Sequence, residues 1–254
     1  MQDIIKAEHL TIGYEHNAVL KDISFAVHEH DVFAIMGASG CGKSTLLRVL
    51  SGLMPPLKGN FYIDGIDFTR ASKEQKNILM QQSGILYQSG ALFTSMTLLE
   101  NVSLPLQEYS DFSPADITQI AKLKLALVGL KGFEGFYPSE ISGGMKKRAG
   151  LARALALDPK IVYFDEPSAG LDPVSSRRLD ELILNINQSL GTTIIIVSHE
   201  LPSILSIANN SIFLSNKTHG IEASGDPKEL LQNPPSEEVA LFLTRGDYHA
   251  KKAK

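Results

Sequence analysis

One short motif restricts the fold of this chain more than any other feature of its sequence. Residues 37–45 have the sequence Gly-Ala-Ser-Gly-Cys-Gly-Lys-Ser-Thr, which fits the pattern GxxxxGK[ST]. An apolar run at 32–36 precedes the motif and a helical pattern at 46–50 follows it. Strand, loop and helix therefore occur in the order that a phosphate-binding loop requires, and a chance glycine-rich turn rarely has this context.

The loop supplies a full set of candidate phosphate contacts. These are Gly37, Ala38, Ser39, Gly40, Cys41, Gly42, Lys43, Ser44 and Thr45. Glycines let the backbone N–H groups turn inward, and the following helix adds the positive end of its dipole. Lys43 supplies a point charge for the β- and γ-phosphates, and the Ser44 hydroxyl is a candidate Mg²⁺ ligand. The loop predicts nucleotide binding, but it does not separate kinases, GTPases, helicases and transport ATPases.

Cys41 is the single cysteine of the chain. One cysteine excludes an internal disulfide framework and a four-cysteine metal site. We interpret Cys41 as contributing its backbone to the loop, with a reactive thiol as the alternative.

A pair of acids forms the second chemical feature. The apolar run 161–164 leads directly into Asp165 and Glu166. A buried strand would present both carboxylates at its carboxyl end, where an α/β sheet binds its ligand. Asp165 is then a candidate Mg²⁺ ligand, and Glu166 is the candidate base that polarises an attacking water. The alternative is an exposed strand end with two solvated acids.

Two more polar residues follow predicted strands. His199 follows the run 192–198 and is a candidate contact of the γ-phosphate, although a lone histidine is more often structural. Gln88 follows the run 85–87, where its amide can contact both metal and attacking water. Without the other motifs, Gln88 would be an ordinary surface residue.

Strand and helix patterns alternate along the chain, which indicates an α/β fold with a largely parallel sheet. The core strands are predicted at 31–36, 85–87, 161–164 and 192–197. Antiparallel strands at 4–10, 24–27 and 61–63 are predicted to form a side sheet. Between 94 and 158 β-branched runs vanish, which predicts an inserted helical subdomain with one helix starting at Pro114. Two short strands after Ser211 and a helix beginning at Asp226 complete the pattern.

Composition excludes several functions. Lys and Arg number 24 against 28 Asp and Glu, a net charge of −4, so there is no global electrostatic case for binding nucleic acid. The longest apolar stretches fall far short of the roughly 20 residues that cross a bilayer. The first residues lack the basic start and apolar core of a secretory signal, so we expect a cytoplasmic chain.

The stretch Ile-Ser-Gly-Gly-Met-Lys-Lys-Arg at 141–148 resembles the signature motif of ABC ATPases. The other motifs occur in the order of that family over nearly the whole chain. The resemblance implies a RecA-like P-loop core with an antiparallel β side sheet and an inserted α-helical subdomain. We expect a single nucleotide-binding domain over 1–245, with core 1–93 and 159–225, helical subdomain about 94–158, and C-terminal segment 226–245. A basic tail would occupy 246–254.

The same resemblance assigns roles to individual residues. Ser142, Gly143 and Gly144 would contact ATP held by a partner subunit, so the chain would act as a homodimer. Tyr14 matches the aromatic residue that stacks on adenine, and Gln88 matches the loop that couples to membrane subunits.

Asp172 matches the loop that joins the two active sites, and His199 matches the switch histidine. Ile141 and Met145 depart from the commonest leucine and glutamine, but the serine and glycines are intact, so we expect ATP hydrolysis. We interpret the adjacent Lys146 and Lys147 as solvated charges.

Variant residues at 87–93, 99–102, 142–145 and 165–173 resemble the ATPase of MCE-type lipid transport systems, the Mla-like group. That resemblance implies lipid transport, with phospholipid as the expected cargo, through a polytopic permease at the cytoplasmic face of the inner membrane. It also implies a membrane-anchored MCE-domain protein, and some such ATPases bind a small STAS-domain protein.

A coupling surface is expected near 88–106, where exposed Leu92 and Phe93 would receive a permease helix. The alternative is that both side chains fill the core of the helical subdomain. Two other functions remain open: an importer ATPase for amino acids or another small solute, and a soluble ABC ATPase of translation or DNA repair.

Overall fold

The computed structural model describes residues 2–15 and 17–246. The predicted basic tail lies outside the described residues, apart from Gly246. In this part of the chain the strands are β1 (Asp3–Tyr14), β2 (Asn17–His28), β3 (Val32–Gly37), β4 (Lys58–Ile63), β5 (Ile66–Asp67), β6 (Ser83–Leu86), β7 (Ile161–Asp165), β8 (Thr193–Val197), β9 (Asn210–Ser215) and β10 (Gly220–Ser224). The helices are α1 (Lys43–Leu50), α2 (Lys73–Gln81), α3 (Leu98–Tyr109), α4 (Pro114–Leu127), α5 (Gly143–Ala154), α6 (Pro173–Leu190), α7 (Leu201–Ile207), α8 (Pro227–Gln232) and α9 (Glu237–Leu243), with a 3₁₀ helix at Pro138–Glu140.

The chain forms two compact units. The first runs to Ser72 and resumes at Ile195, and the second is Lys73–Ile194. Strand β8 carries the chain from the second unit back into the first. Each unit is described by itself below.

The first unit contains an antiparallel sheet with the strand order β2-β1-β4-β5. This confirms the predicted side sheet. Strands β1 and β2 are both 12 residues long and extend beyond the predicted 4–10 and 24–27. Their pairing shifts register between Ala7 and Leu10 and again between Leu10 and Ile12, which interrupts the alternation of side chains along the two strands.

Strands β10, β9 and β3 are neighbours, in that order, in the first unit. β3 pairs in parallel with β9, from Phe33 opposite Asn210 to Gly37 opposite Leu214, and is buried along its whole length. The predicted strand at 31–36 and the two strands after Ser211 are thereby confirmed. Asp226 caps α8 as predicted, because its carboxylate accepts a hydrogen bond from the Lys228 N–H group.

The second unit contains the parallel pair β6 and β7, which confirms both predicted strands. Helices α3, α4 and α5 lie in the region predicted to be helical. Pro114 occupies the first turn of α4 behind the cap Ser113, as its fixed φ favours. The predicted boundaries of a core and a helical subdomain stay a prediction.

No helix within residues 2–15 and 17–246 combines the length and the apolar character needed to cross a membrane.

Asn101 closes the turn that leads into α3. Its side chain is fully buried, and its Oδ1 accepts a hydrogen bond of 2.8 Å from the Phe93 N–H group. Its Nδ2 donates to the carbonyl oxygens of Phe93, Met96 and Thr97. One amide therefore bonds four backbone groups of this turn, two of which, the Phe93 and Thr97 carbonyl oxygens, also accept hydrogen bonds from the Met96 and Asn101 N–H groups.

We predict that Asn101→Ala lowers the free energy of unfolding by about 3 kcal/mol, because it removes the hydrogen bonds of a fully buried amide to the turn and leaves a small cavity. Urea denaturation monitored by circular dichroism measures this difference. Asn185→Ala is the matched control, since Asn185 is an exposed helical asparagine of the same unit. Equal unfolding midpoints for the two variants would contradict the assigned role of Asn101.

Candidate functional site

The loop 37–45 joins the buried end of β3 to the start of α1. At Gly37 a Cβ atom would lie 2.4 Å from the Leu214 carbonyl oxygen, and φ is +143°, so only glycine fits against β9. At Gly40 a Cβ atom would meet nothing within 4 Å, which leaves this side of the loop open. The loop is thus packed on one side and accessible on the other.

Helix α1 begins at a glycine, and no side chain of the described residues caps it. Gly42 has φ 101°, and its Cβ position would collide with the Val19 side chain. The start of α1 therefore presents the positive end of the helix dipole without a side-chain cap. This favours an anion at this position.

The Lys43 ammonium group lies within the loop. The side chain is buried, and Nζ donates to the carbonyl oxygens of Gly37 at 2.8 Å and Ala38 at 2.9 Å. Among the described residues, no carboxylate forms an ion pair with Lys43. Its charge is held on neutral carbonyls, so it remains available to phosphate.

Tyr14 is tethered beside this loop. Its ring is 48% exposed, and its hydroxyl lies 3.5 Å from Thr45 Oγ1 and accepts a hydrogen bond of 3.1 Å from Arg48. The hydrogen bond with Thr45 and the nearby Arg48 charge hold the pKa of Tyr14 below its usual value. An exposed ring fixed at its hydroxyl end leaves a face for stacking on a base.

The thiol of Cys41 is buried, with 3% of the residue exposed. Burial raises the pKa of this thiol above its ordinary value, despite the opposing charge of Lys43. A thiol that is protonated and inaccessible is a poor nucleophile. The burial therefore favours the backbone role over the reactive-thiol alternative.

In the second unit, Asp165 ends β7 and Glu166 follows it. Leu86 of β6 pairs with Phe164 of β7. Gln88 and Glu166 each lie two residues beyond this pair, so both follow the carboxyl ends of the two parallel strands. Both carboxyl residues are partly buried and Gln88 is exposed. The structure therefore brings together the amide and the two acids that the sequence predicted separately.

Helix α5 starts at the predicted signature motif. Ser142 caps it by accepting a hydrogen bond of 3.3 Å from the Met145 N–H group. A Cβ atom at Gly143 would meet nothing within 4 Å, and one at Gly144 would meet only ordinary contacts. Packing within the chain does not require these glycines, so their open face is suited to the close approach of a ligand.

The prediction of solvated lysines after this motif is wrong for Lys147. Lys146 is partly buried, but Lys147 is only 6% exposed, and its Nζ donates to backbone carbonyls of the loop after β7. Arg148 donates to the carbonyl oxygens of Val128 and Gly129. The sequence suggested solvation because charge runs are usually exposed; the packing of α5 decides otherwise.

Asp172 has a structural role that its sequence position could have shown. It caps α6 by accepting hydrogen bonds of 3.0 Å each from the Val174 and Ser175 N–H groups, in front of Pro173. A hydrogen bond from the Ser175 side chain, followed by the bond from the Ser175 N–H group, holds the pKa of Asp172 below its usual value. An Asp-Pro pair before a helical pattern is a common helix start.

His199 follows β8 in the first unit, with 59% of its side chain exposed and Nε2 3.8 Å from Glu200 Oε1. The site residues are therefore divided by unit. Tyr14, residues 37–45 and His199 belong to the first unit, and the other predicted residues belong to the second.

The donor types suit Mg²⁺. A serine hydroxyl, an amide and a carboxylate at positions 44, 88 and 165 are hard oxygen ligands of the kind that Mg²⁺ binds with phosphate oxygens. The described residues contain no cluster of three or more His, Cys, Asp or Glu residues able to hold a metal on their own.

Comparisons with known proteins agree with this chemistry. Residues 20–169 match the family model described as ABC transporter. The chain is 38% identical over 246 residues to "Intermembrane phospholipid transport system ATP-binding protein MlaF" of Haemophilus influenzae, covering 97% of this chain and 92% of that protein. It is 40% identical over 239 residues to "Probable ribonucleotide transport ATP-binding protein mkl" of Mycobacterium tuberculosis, covering 94% of this chain and 66% of that protein.

Two solved structures are similar. The ATP-binding cassette MJ0796, in a dimeric post-hydrolysis state bound to ADP and Pi, superposes with a TM-score of 0.79 at 28% identity, covering 87% of this chain and 98% of that chain. The cbiO1 protein of Clostridium perfringens, part of the ABC transporter complex cbiONQ, superposes with a TM-score of 0.84 at 27% identity, covering 92% of each chain.

We predict that Cys41 reacts with iodoacetamide at pH 8 at least roughly tenfold more slowly in the native chain than in urea, because burial removes both access and thiolate. Mass spectrometry of timed samples measures the rates. Ser39→Cys in a Cys41→Ala background is the matched control, since Ser39 is exposed in the same loop and should label quickly. Equal rates for native and unfolded Cys41 would contradict the buried thiol.

Proposed function

The chain belongs to the ABC transporter family and is an ATPase with the RecA-like P-loop fold, and from that premise we propose that two copies power lipid transport through a membrane permease. The observation that carries the proposal is the loop 37–45, where the Lys43 ammonium and the uncapped start of α1 point to a bound phosphate. An ATPase of this family acts with a permease in a transporter.

We propose that the first unit binds the nucleotide. The backbone of residues 37–45 surrounds the phosphates, and Lys43 moves from the carbonyls of Gly37 and Ala38 onto phosphate oxygens. Tyr14 stacks on the adenine ring. His199 contacts the γ-phosphate and reports its presence.

Hydrolysis is assigned to the residues after β6 and β7. Ser44, Gln88 and Asp165 would hold Mg²⁺ together with the nucleotide, and the ion would supply positive charge beside the phosphates. Glu166 accepts the proton of the attacking water as general base. Its position directly after a buried strand supports this role, because a rigid strand limits the motion of the carboxylate.

A homodimer completes the site. Ser142, Gly143 and Gly144 at the open start of α5 contact the γ-phosphate of ATP held by the partner subunit, and Asp172 lies in the loop that joins the two sites. The similar cassette described as a dimer in a post-hydrolysis state supports this arrangement. ATP binding closes the pair, and hydrolysis reopens it.

The cargo that we propose is a phospholipid. The MlaF relative matches this chain over nearly the whole length of both proteins, and its name, which specifies phospholipid transport, supports this cargo. The proposed partners are a polytopic permease, a membrane-anchored MCE-domain protein and a small STAS-domain protein, at the cytoplasmic face of the inner membrane. The name of the mkl relative makes ribonucleotide transport the second candidate.

The permease is proposed to dock near residues 88–106. Phe93 is 50% exposed and Leu92 is partly buried, so neither side chain is fully buried in a hydrophobic core. The Arg153 guanidinium lies 5.9 Å from the centroid of the Phe93 ring and holds it at the surface.

We also propose that residues 94–158 form a helical subdomain inserted between core segments 1–93 and 159–225. A C-terminal segment at 226–245 follows the core.

We predict that Glu166→Gln lowers kcat for ATP at least roughly 100-fold while ATP binding is retained, because the base is lost and the phosphate contacts remain. Phosphate release and nucleotide titration measure the two quantities, and gel filtration should show an ATP-stabilised dimer. Lys43→Ala should instead weaken ATP binding at least roughly tenfold. Glu181→Gln, an exposed acid of α6, is the control. Normal turnover by Glu166→Gln would refute the assigned base.

We predict that the tagged chain, purified from its native membranes in mild detergent, carries a permease, an MCE-domain protein and phospholipid identifiable by mass spectrometry. The Phe93→Asp chain is the control, because a charge at the proposed docking surface should reduce permease recovery. A copurifying solute-binding protein would redirect the assignment to a small-solute importer. Ribosomes, or no membrane protein, would indicate a soluble ABC ATPase.

A further inference from the structure

Lys147 is a buried cation to which the proposed reaction gives no role. It lies in the second turn of α5 with 6% of its surface exposed. Its Nζ donates to the Pro167 carbonyl oxygen at 2.6 Å and also to the Ala169 carbonyl oxygen. Three donors on one ammonium group allow both bonds at once. The side chain therefore connects the helix of the signature motif to the backbone that follows Glu166.

The segment that Lys147 contacts is strained at its first residue. Glu166 has φ 50°, in the left-handed region that is energetically unfavourable for a non-glycine residue. Such a conformation persists only where surrounding contacts hold it. The segment holds itself partly, since the Ala169 N–H group donates to the Glu166 carbonyl at 3.2 Å and the Leu171 N–H group donates to the Ser168 carbonyl at 3.0 Å.

Local bonds do not satisfy the segment fully. The Ser168 hydroxyl is buried, and among the described residues it has no hydrogen-bond partner. An unsatisfied buried hydroxyl destabilises the conformation that contains it. Contacts from outside the segment are needed, and Lys147 supplies two charge-assisted bonds.

Lys147 also acts on Glu166 through charge. Burial lowers the pKa of Lys147, and the nearby Glu166 carboxylate opposes that shift by attraction. The two carbonyl contacts fix the position of the Lys147 ammonium group, and this attraction adds to them.

We propose that Lys147 is a positioning residue for ATP hydrolysis, which fixes the backbone of residues 166–169 and thereby places the Glu166 carboxylate relative to the start of α5. This rests on the proposed role of Glu166 as general base. In the proposed dimer, the start of α5 contacts the ATP held by the partner subunit. Glu166 acts as general base at the site of its own chain. Lys147 is thus a direct link, within one chain, between the two sites of the dimer.

The test is steady-state ATP turnover by the full chain in the complex with which it copurifies. Lys147→Met keeps the length and apolar stem of the side chain but removes every donor. We expect kcat to fall roughly 10- to 100-fold, because misplacing a reacting group by about 1 Å has effects of this size. KM for ATP and the affinity for a non-hydrolysable ATP analogue should stay within twofold, since the loop 37–45 is unchanged. Lys147→Arg retains hydrogen-bond donors. Its log kcat should therefore lie at least halfway from the value of Lys147→Met to that of the unmodified chain.

Lys146→Met is the matched control, because it removes the same charge from the adjacent, partly buried position of the same helix. Its kcat should stay within twofold of the unmodified chain. An unchanged kcat in Lys147→Met would overturn the inference. Parallel loss of kcat, nucleotide affinity and melting temperature without recovery in Lys147→Arg would also overturn it, since that pattern indicates a purely structural lysine. Glu166→Gln is assayed alongside: if it alone loses turnover, the proposed function stands while the role of Lys147 fails.

Discussion

The close approach of β3 to β9 is the constraint on which the phosphate loop depends. Gly37 lies against the Leu214 carbonyl so tightly that no Cβ atom fits, and the buried strand must end at that point. The chain then turns through residues with positive φ to reach α1. Because the turn begins from a fixed position, Lys43 returns to the carbonyls of Gly37 and Ala38 and its charge is held inside the loop. Backbone packing thus places a cation for phosphate before any ligand binds.

Three buried lysines show how partners decide what a buried charge can do. Lys124 is paired with the carboxylate of Asp158, so its charge is compensated locally. Lys43 and Lys147 are bonded instead to neutral carbonyl oxygens. Carbonyl dipoles satisfy the donors without cancelling the charge, and the field remains available to an anion nearby. A net charge of −4 conceals these local positive sites.

The glycines of the two motifs serve opposite needs. Gly37 and Gly42 are required by contacts within the chain, since a side chain would collide with β9 or with Val19. Gly143 faces open space, so nothing within the described residues explains its lack of a side chain. Gly37 and Gly42 thus shape the loop of their own chain. Gly143 leaves space for a ligand that approaches from outside the chain, which agrees with its proposed contact with the nucleotide of a partner subunit.

The sequence by itself determined the order of strand, loop and helix around residues 37–45, the acids after β7, and the starts of α4, α5 and α8. Each of these depends on local backbone preferences or on a run of apolar residues, and both are visible over a few neighbouring positions. Only the tertiary structure decided the length of β1 and β2, where register shifts interrupt the alternation. It also decided the burial of Lys147, because the carbonyls that bind it lie 20 and 22 residues further along the chain. Partners so distant meet only when α5 packs against the loop after β7, and no local pattern of charge encodes that contact.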